Sequence, residues 1–348
     1  MLFLAAGCSN LHFYRQSVLG HLGVMQSARS IDKVLASTEL DDSTRAKLTL
    51  VKDVRAFARN ELSLSFNNSY THYVDLERDY VLTNIVAAPE FSTALHSWCY
   101  LVIGCASYRG YFDEQQLAAE QQRLEGEGLE VYAYPVTAYS TLGWFSDPVL
   151  NTFMMLPEPR MVGLILHELA HQQIYVEGDS SFNESFATAV ERTGLELFYR
   201  GGEAMLQLEQ AWQVTKQINQ QASQTREALE SLYQESISAQ EMRLHKRVLL
   251  DAFSKEYLKL TGAKSTAGKS SAVALPQFNN ARLGVMATYQ DFVPAFLNLL
   301  QFQAGAFKPF FERVEEIGAL PKEQRDACLL FWSSVDVLTM SAVSKDCH

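Results

Sequence analysis

Between Met161 and Ile174 the chain is apolar on nearly every side, yet it carries His167, Glu168 and His171. Met161, Val162, Leu164, Ile165, Leu166, Leu169, Ala170 and Ile174 leave no polar face for solvent, so the segment predicts a buried helix. Pro157-Glu158-Pro159 marks its start, with an acid in the first turn, and Gly178 marks a stop. Two imidazoles and a carboxylate inside such a helix are costly unless they are paired or hold an ion. Residues four apart share one helix face, so His167 and His171 can reach a single ion. Glu168 is turned about 100° from His167, at the edge of that face, where it can hold a water.

A third ligand must come from elsewhere. Glu184, thirteen positions past His171 in Phe182-Asn183-Glu184-Ser185-Phe186-Ala187, is the natural candidate. Two imidazoles, one carboxylate and one open position make a catalytic zinc site, whereas a structural site is closed by four protein ligands. A plainer reading competes: Ser181-x-x-Glu184 fits a capping box, which would make Glu184 a helix-start residue only. Glu191, two turns on, is either a partner for a ligand histidine or a solvated helix charge.

His-Glu-Leu-Ala-His followed by Asn-Glu-Ser-Phe-Ala resembles the gluzincin metallopeptidases, in which Asn-Glu opens the third-ligand motif. The interval is shorter than in thermolysin or the alanyl-type aminopeptidases. Together with Trp98-Cys99, Gly104-Cys105, Tyr108 to Phe112, Tyr139 to Phe145 and Asp147-Pro148, it resembles a bacterial family of predicted aminopeptidases of lipoprotein type, over most of the chain. The resemblance implies an α+β, mostly helical fold. Its zincin-like catalytic domain would have a small β-sheet before the active-site helix and a long helical C-terminal part. It also implies Zn2+ held by His167, His171 and Glu184, a peptide substrate, and Glu168 as the base that takes a proton from water and passes it to the leaving amine. Tyr139, Tyr289 and Arg109 are the candidates for contacting the oxyanion or the substrate. The Gly-x-Met-Glu-Asn element that binds the free amine in alanyl-type enzymes is missing, and Asp147, Glu158 and Asp179 stand as possible substitutes. Two alternatives remain open: a zinc endopeptidase acting on envelope proteins, and a non-catalytic helical lipoprotein.

Composition and the N-terminus bound the setting. The chain has 348 residues, 47 % hydrophobic, enough to bury a large core. A formal charge of −11 with no run of Lys and Arg argues against a nucleic-acid partner. No stretch approaches the ~20 apolar residues that span a bilayer. Leu4-Ala5-Ala6-Gly7-Cys8 resembles a lipobox, so residues 1–7 are expected to be a truncated lipoprotein signal segment and Cys8 the lipidated residue. That places the protein in the bacterial envelope, anchored to a membrane by lipid, with the outer membrane facing the periplasm as the expected site. Of the other cysteines, Cys99 and Cys105 can bridge if the chain turns back between them, and Cys328 with Cys347 is a weaker pair.

The expected layout is one domain over 8–348. Residues 8–157 carry helices and a small sheet, 158–200 the metal-binding helices, and 201–348 a helical part. Within it, 9–64 read helical, Tyr70 to Ala87 a hairpin broken at Glu77-Arg78-Asp79, and 97–112 strand and turn. A helix from Asp113 to Gly128 and a strand from Leu129 to Thr137 follow. After the metal helices come long helices over Ala204–Leu232 and Ser236–Thr261, a small-residue loop over 262–274, and helical regions over Asn279–Phe302 and Gln324–Met340.

Overall fold

A computed structural model describes residues 3–100, 104–138, 146–262, 276–286, 292–335 and 347, with side chains from residue 13 onward. It is α+β and mostly helical, with small sheets. The chain runs α1 (Phe3–Gln26), β1 (Arg29–Ser30), α2 (Ile31–Leu35), α3 (Asp42–Asn60), β2 (His72–Val74) and β3 (Leu82–Pro89). Next come β4 (Trp98–Tyr100), β5 (Gly104–Ala106), β6 (Arg109–Tyr111), α4 (Glu114–Gly126), β7 (Leu129–Val136) and β8 (Val149–Leu150). The helices that follow are α5 (Asn151–Met154), α6 (Glu158–Gln173), α7 (Ser180–Tyr199), α8 (Glu203–Tyr233) and α9 (Ala239–Thr261). The last are α10 (Asn280–Met286), α11 (Val293–Phe302), α12 (Phe307–Gly318) and α13 (Lys322–Ser334).

Two compact units emerge, each assembled from three chain segments, so no single linker marks a boundary in the sequence. The first comprises 1–22, 80–136 and 209–288. Its sheet has the order β6-β3-β7, all antiparallel, with β3 and β7 paired from Leu82↔Val136 to Pro89↔Leu129. β3 is buried on both faces, which is why it reads Leu-Thr-Asn-Ile-Val-Ala-Ala without polar alternation. Ile85 and Ala87 pack with Trp98, Tyr111 and Leu124, while Val86 and Ala88 pack with Ala281. Ile218, Ala222, Leu229 and Leu232 of α8 share a core with Met242, Leu250 and Phe253 of α9. The β4–β5 hairpin sets Cys99 opposite Cys105, and the two are disulfide-bonded.

The second unit comprises 23–79, 137–208 and 289–348 and holds α6 and α7. Its core is aromatic: Phe182 meets Phe296 edge-on at 5.2 Å, and Phe186 stacks on Phe310 at 6.0 Å. Its sheet has the order β1-β2-β8, with β2 parallel to β8. Cys328 is bonded to Cys347.

Three expectations change. Tyr70 to Ala87 is not a hairpin: β2 and β3 belong to different sheets, and the polar break at 77–79 ends one unit's segment rather than turning a strand. The helix α12 was not anticipated, although Phe307, Phe310, Phe311, Val314 and Ile317 give it a strong buried stripe. The active-site helix stops at Gln173, earlier than Gly178, because Ile174 turns to extended backbone. The small-residue loop from 263 and the end of the last helical region beyond 335 lie outside the described residues.

Candidate metal centre

The site is built on α6 and α7. Pro157 precedes α6, and Met161, Val162, Ile165, Leu166, Leu169 and Ala170 are fully buried, as the apolar sequence requires. Asp179 caps α7, its carboxylate accepting from Phe182 N at 3.1 Å. Arg325 clamps the same carboxylate through Nε at 2.9 Å and Nη2 at 2.8 Å, with both side chains buried. Ser181 is therefore not the cap, and Glu184 is released from any capping role. Small residues let the two helices come close. A Cβ on Gly194 would stand 2.8 Å from Leu166, and one on Gly163 would stand 2.9 Å from Glu191 Oε1.

His167, His171 and Glu184 converge, with one ligand atom from each lying within 4.8 Å of the others. The two Nε2 atoms are 3.2 Å apart. Glu184 Oε2 is 3.3 Å from His167 Nε2, and Oε1 is 3.7 Å from His171 Nε2. A tetrahedral ion with bonds of about 2.0–2.1 Å spaces its ligand atoms about 3.3–3.4 Å apart. The two imidazole nitrogens match that value and one carboxylate oxygen faces each of them, so this donor set fits such an ion. Behind them, Glu191 Oε2 lies 3.2 Å from His167 Nδ1. A carboxylate there accepts a hydrogen bond from Nδ1–H and leaves the Nε2 lone pair facing inward, which resolves the two readings of Glu191 in favour of a histidine partner.

The charge balance agrees. Burial works against a charge on His167, but hydrogen bonds to Glu184 and Glu191 outweigh it and raise its pKa to about 10. His171 is pushed down to about 4 by burial and by the charge on His167. Burial pushes Glu184 up, but His167 holds it below its ordinary value. Without a metal, the pair of imidazoles thus carries a single positive charge, on His167, where a divalent ion would sit.

Glu168 is half-buried on the neighbouring face of α6. Burial raises the pKa of the Tyr70 hydroxyl well above its ordinary value, and the charges of Glu168 and Asp147 add to it. Tyr70 is buried and left-handed, with φ 62°, a conformation that bulky residues rarely adopt. Its amide donates to Asp147 O at 2.6 Å, and Asp147 N donates to Ser69 Oγ at 2.9 Å. Gln172 ties this strand of chain to α6, its Nε2 donating to Ser69 Oγ at 3.0 Å.

On the other side, the loop between the helices is held by Asn183. Its side-chain oxygen accepts from Val176 N and its amide donates to Val176 O, both at 2.8 Å, which copies a strand pairing. Next to Val176, Tyr175 presents its ring edge-on to His171, centroid to centroid 6.5 Å.

The structure therefore brings together His167, Glu168, His171, Glu184 and Glu191. Arg109 is in the first unit, where its guanidinium stacks 3.9 Å over Phe13 and pairs with the buried Glu120 at 3.6 Å. Tyr139 and Tyr289 lie outside the described residues, as does the Cys8 side chain. Asp179 is taken by Arg325, and Glu158 is exposed at the first turn of α6, accepting from Tyr199 at 3.2 Å. Tyr70, Tyr175 and the clamping role of Asn183 were not anticipated. Tyr175 does follow His171 by four positions, but the helix ends before it, so helical spacing alone would not have signalled it.

No curated protein and no solved structure matches the chain. A family profile described as "Putative aminopeptidase" matches residues 12–329, a span that includes α6, α7 and every residue of the metal group. The chain belongs to that family.

Proposed function

We propose that this chain is a zinc-dependent aminopeptidase working on peptides in the cell envelope, held to a membrane by lipid on Cys8. The observation that carries the reading is the convergence of His167, His171 and Glu184 at separations of 3.2, 3.3 and 3.7 Å, on a buried helix pair. Membership in the family supports peptide-bond hydrolysis. Two imidazoles and one carboxylate make a donor set that favours zinc, and three protein ligands leave a position for catalysis. When bound, zinc polarises the scissile carbonyl and acidifies a water.

The chain's own residues do the rest. Glu168 accepts the proton of the water whose oxygen adds to the carbonyl carbon, then gives it to the leaving nitrogen as the C–N bond breaks. One amide and one water become one carboxylate and one amine. Glu191 keeps the His167 ring in the orientation that points Nε2 inward. None of the three candidate carboxylates is singled out for the substrate's free amine: Asp179 is committed to Arg325, Glu158 sits at the far end of α6, and Asp147 is buried.

The envelope reading rests on the lipobox-like Leu4 to Cys8 and on two disulfides, which suit an oxidising compartment. Among the described residues, no helix is long and apolar enough to cross a membrane, so a lipid would be the anchor.

The test is a matched pair of peptides, one with a free N-terminus and one N-acetylated, assayed side by side with purified full-length protein. Blocking the amine is expected to slow cleavage by about 10-fold or more, because it removes a charge-assisted hydrogen bond. Equal rates, or internal fragments before any single-residue release, would favour the endopeptidase alternative. No cleavage of either would favour the non-catalytic lipoprotein.

A further inference from the structure

We infer that Tyr175 is the donor that stabilises the oxyanion of the cleaved carbonyl, with its hydroxyl hydrogen-bonding that oxygen as it gains charge. The inference rests on the peptidase reading above and adds a residue to it. Three observations place Tyr175 in this role. Its ring stands edge-on to the ligand His171, 6.5 Å between centroids and 76° between planes. It is 49 % exposed, although it neighbours the buried Ile174 and the part-buried Val176, so the ring beside His171 is open to a molecule arriving from solvent. Among the described residues its hydroxyl makes no hydrogen bond, in contrast to Tyr80, Tyr199 and Tyr233, each bonded to a side chain.

The backbone that carries Tyr175 is fixed. Ile174 N donates to Ala170 O at 3.2 Å, closing the end of α6, and Asn183 grips Val176 through both its amide and its carbonyl. Tyr175 is thus pinned on both sides in sequence. Asn183 is itself buried and adjacent to Glu184, so one residue sets the positions of the third ligand and of the donor together. A donor held in place before the reaction needs no reorganisation when charge develops, which is where such groups are most effective. The phenol is protonated at neutral pH and donates a hydrogen bond without giving up its proton.

Tyr175→Phe in the full-length protein separates this role from others. It keeps the ring against His171 and removes only the hydroxyl. The expected result is a fall in kcat of about 100-fold or more with KM little changed. Metal content and thermal midpoint should match the wild type. Affinity for a phosphinic peptide isostere, whose tetrahedral oxygen mimics the oxyanion, should weaken by a similar factor in calorimetry. Affinity for the cleaved product should hold.

A Tyr175→Phe protein within 2-fold (roughly) of wild-type kcat overturns the inference. So does loss of activity that tracks loss of metal, or a silent Tyr175→Phe beside a Tyr175→Leu with raised KM, which would make the ring a substrate platform. Wild-type protein that cleaves no peptide defeats the peptidase reading, whereas wild-type turnover that survives in Tyr175→Phe defeats only this one.

Discussion

His167 and His171 are four residues apart, yet their protonation is driven in opposite directions: at His167 hydrogen bonds to Glu184 and Glu191 outweigh burial, whereas burial and the charge on His167 push His171 down. Glu191 stands behind His167, whereas His171 Nδ1 is buried with no hydrogen-bond partner. The sign of the resulting pH dependence follows. A histidine whose folded pKa is raised from 6.5 to about 10 contributes stability that is complete below pH 6.5 and lost as pH rises through about 10. Metal-free protein should therefore lose thermal midpoint across that window in the presence of a chelator. Glu191→Gln should flatten the loss, since it removes one of the two carboxylates that hold the proton. A midpoint that is unchanged from pH 7 to 10 in metal-free wild type would contradict this. Glu168 is separable from the ligands, because it lies on the adjacent face of α6 toward Tyr70. Glu168→Gln should keep the metal while turnover falls by ~100-fold or more, as read by steady-state kinetics alongside elemental analysis. Wild-type turnover in that variant would remove Glu168 from the chemistry.

At the level of elements, the decisive feature is how α7 is started and how its entry loop is held. Asn183 donates to and accepts from Val176, so Asn183→Ala leaves both backbone groups without their partner. A loss of about 1–3 kcal/mol in unfolding free energy is expected, together with weakened metal binding through the displaced Glu184. Denaturant melts and a chelator competition would show both. A variant as stable and as metal-tight as wild type would mean that the clamp is incidental. This contact was only half legible in sequence: Asn183-Glu184 stood out as a pair, but a side chain that imitates a strand partner leaves no periodic mark. The same holds for the cap. Ser181-x-x-Glu184 obeys the local pattern of a capping box, and the structure prefers Asp179 because Arg325, 146 residues further on, holds that carboxylate. Patterns that rest on one helix face, such as the buried stripe of α6 and the His167–His171 pair, were readable directly, because period and burial coincide there.

At the level of the whole molecule, the class of fold was legible and the partition was not. Strong local signals gave the helices, and α4, β7, α8 and α9 fall close to where periodicity and turn residues put them. The two units interleave three chain segments each, and only long-range pairing decides that β2 joins β8 while β3 joins β6 and β7. Arg109 shows the same limit for single residues. An arginine in a tyrosine-rich stretch looks available for substrate, but Glu120 on the next helix and Phe13, far away in sequence, take it into a buried cluster. The metal group escaped this limit because its ligands come from two successive helices of one unit. The central claim is that these ligands hold one zinc, and it is tested most directly by elemental analysis of full-length protein after zinc loading and dialysis. One zinc per chain is predicted for the wild type, with a His167→Ala, His171→Ala double variant retaining none. A wild type without stoichiometric metal, or a double variant that keeps its zinc, would contradict it.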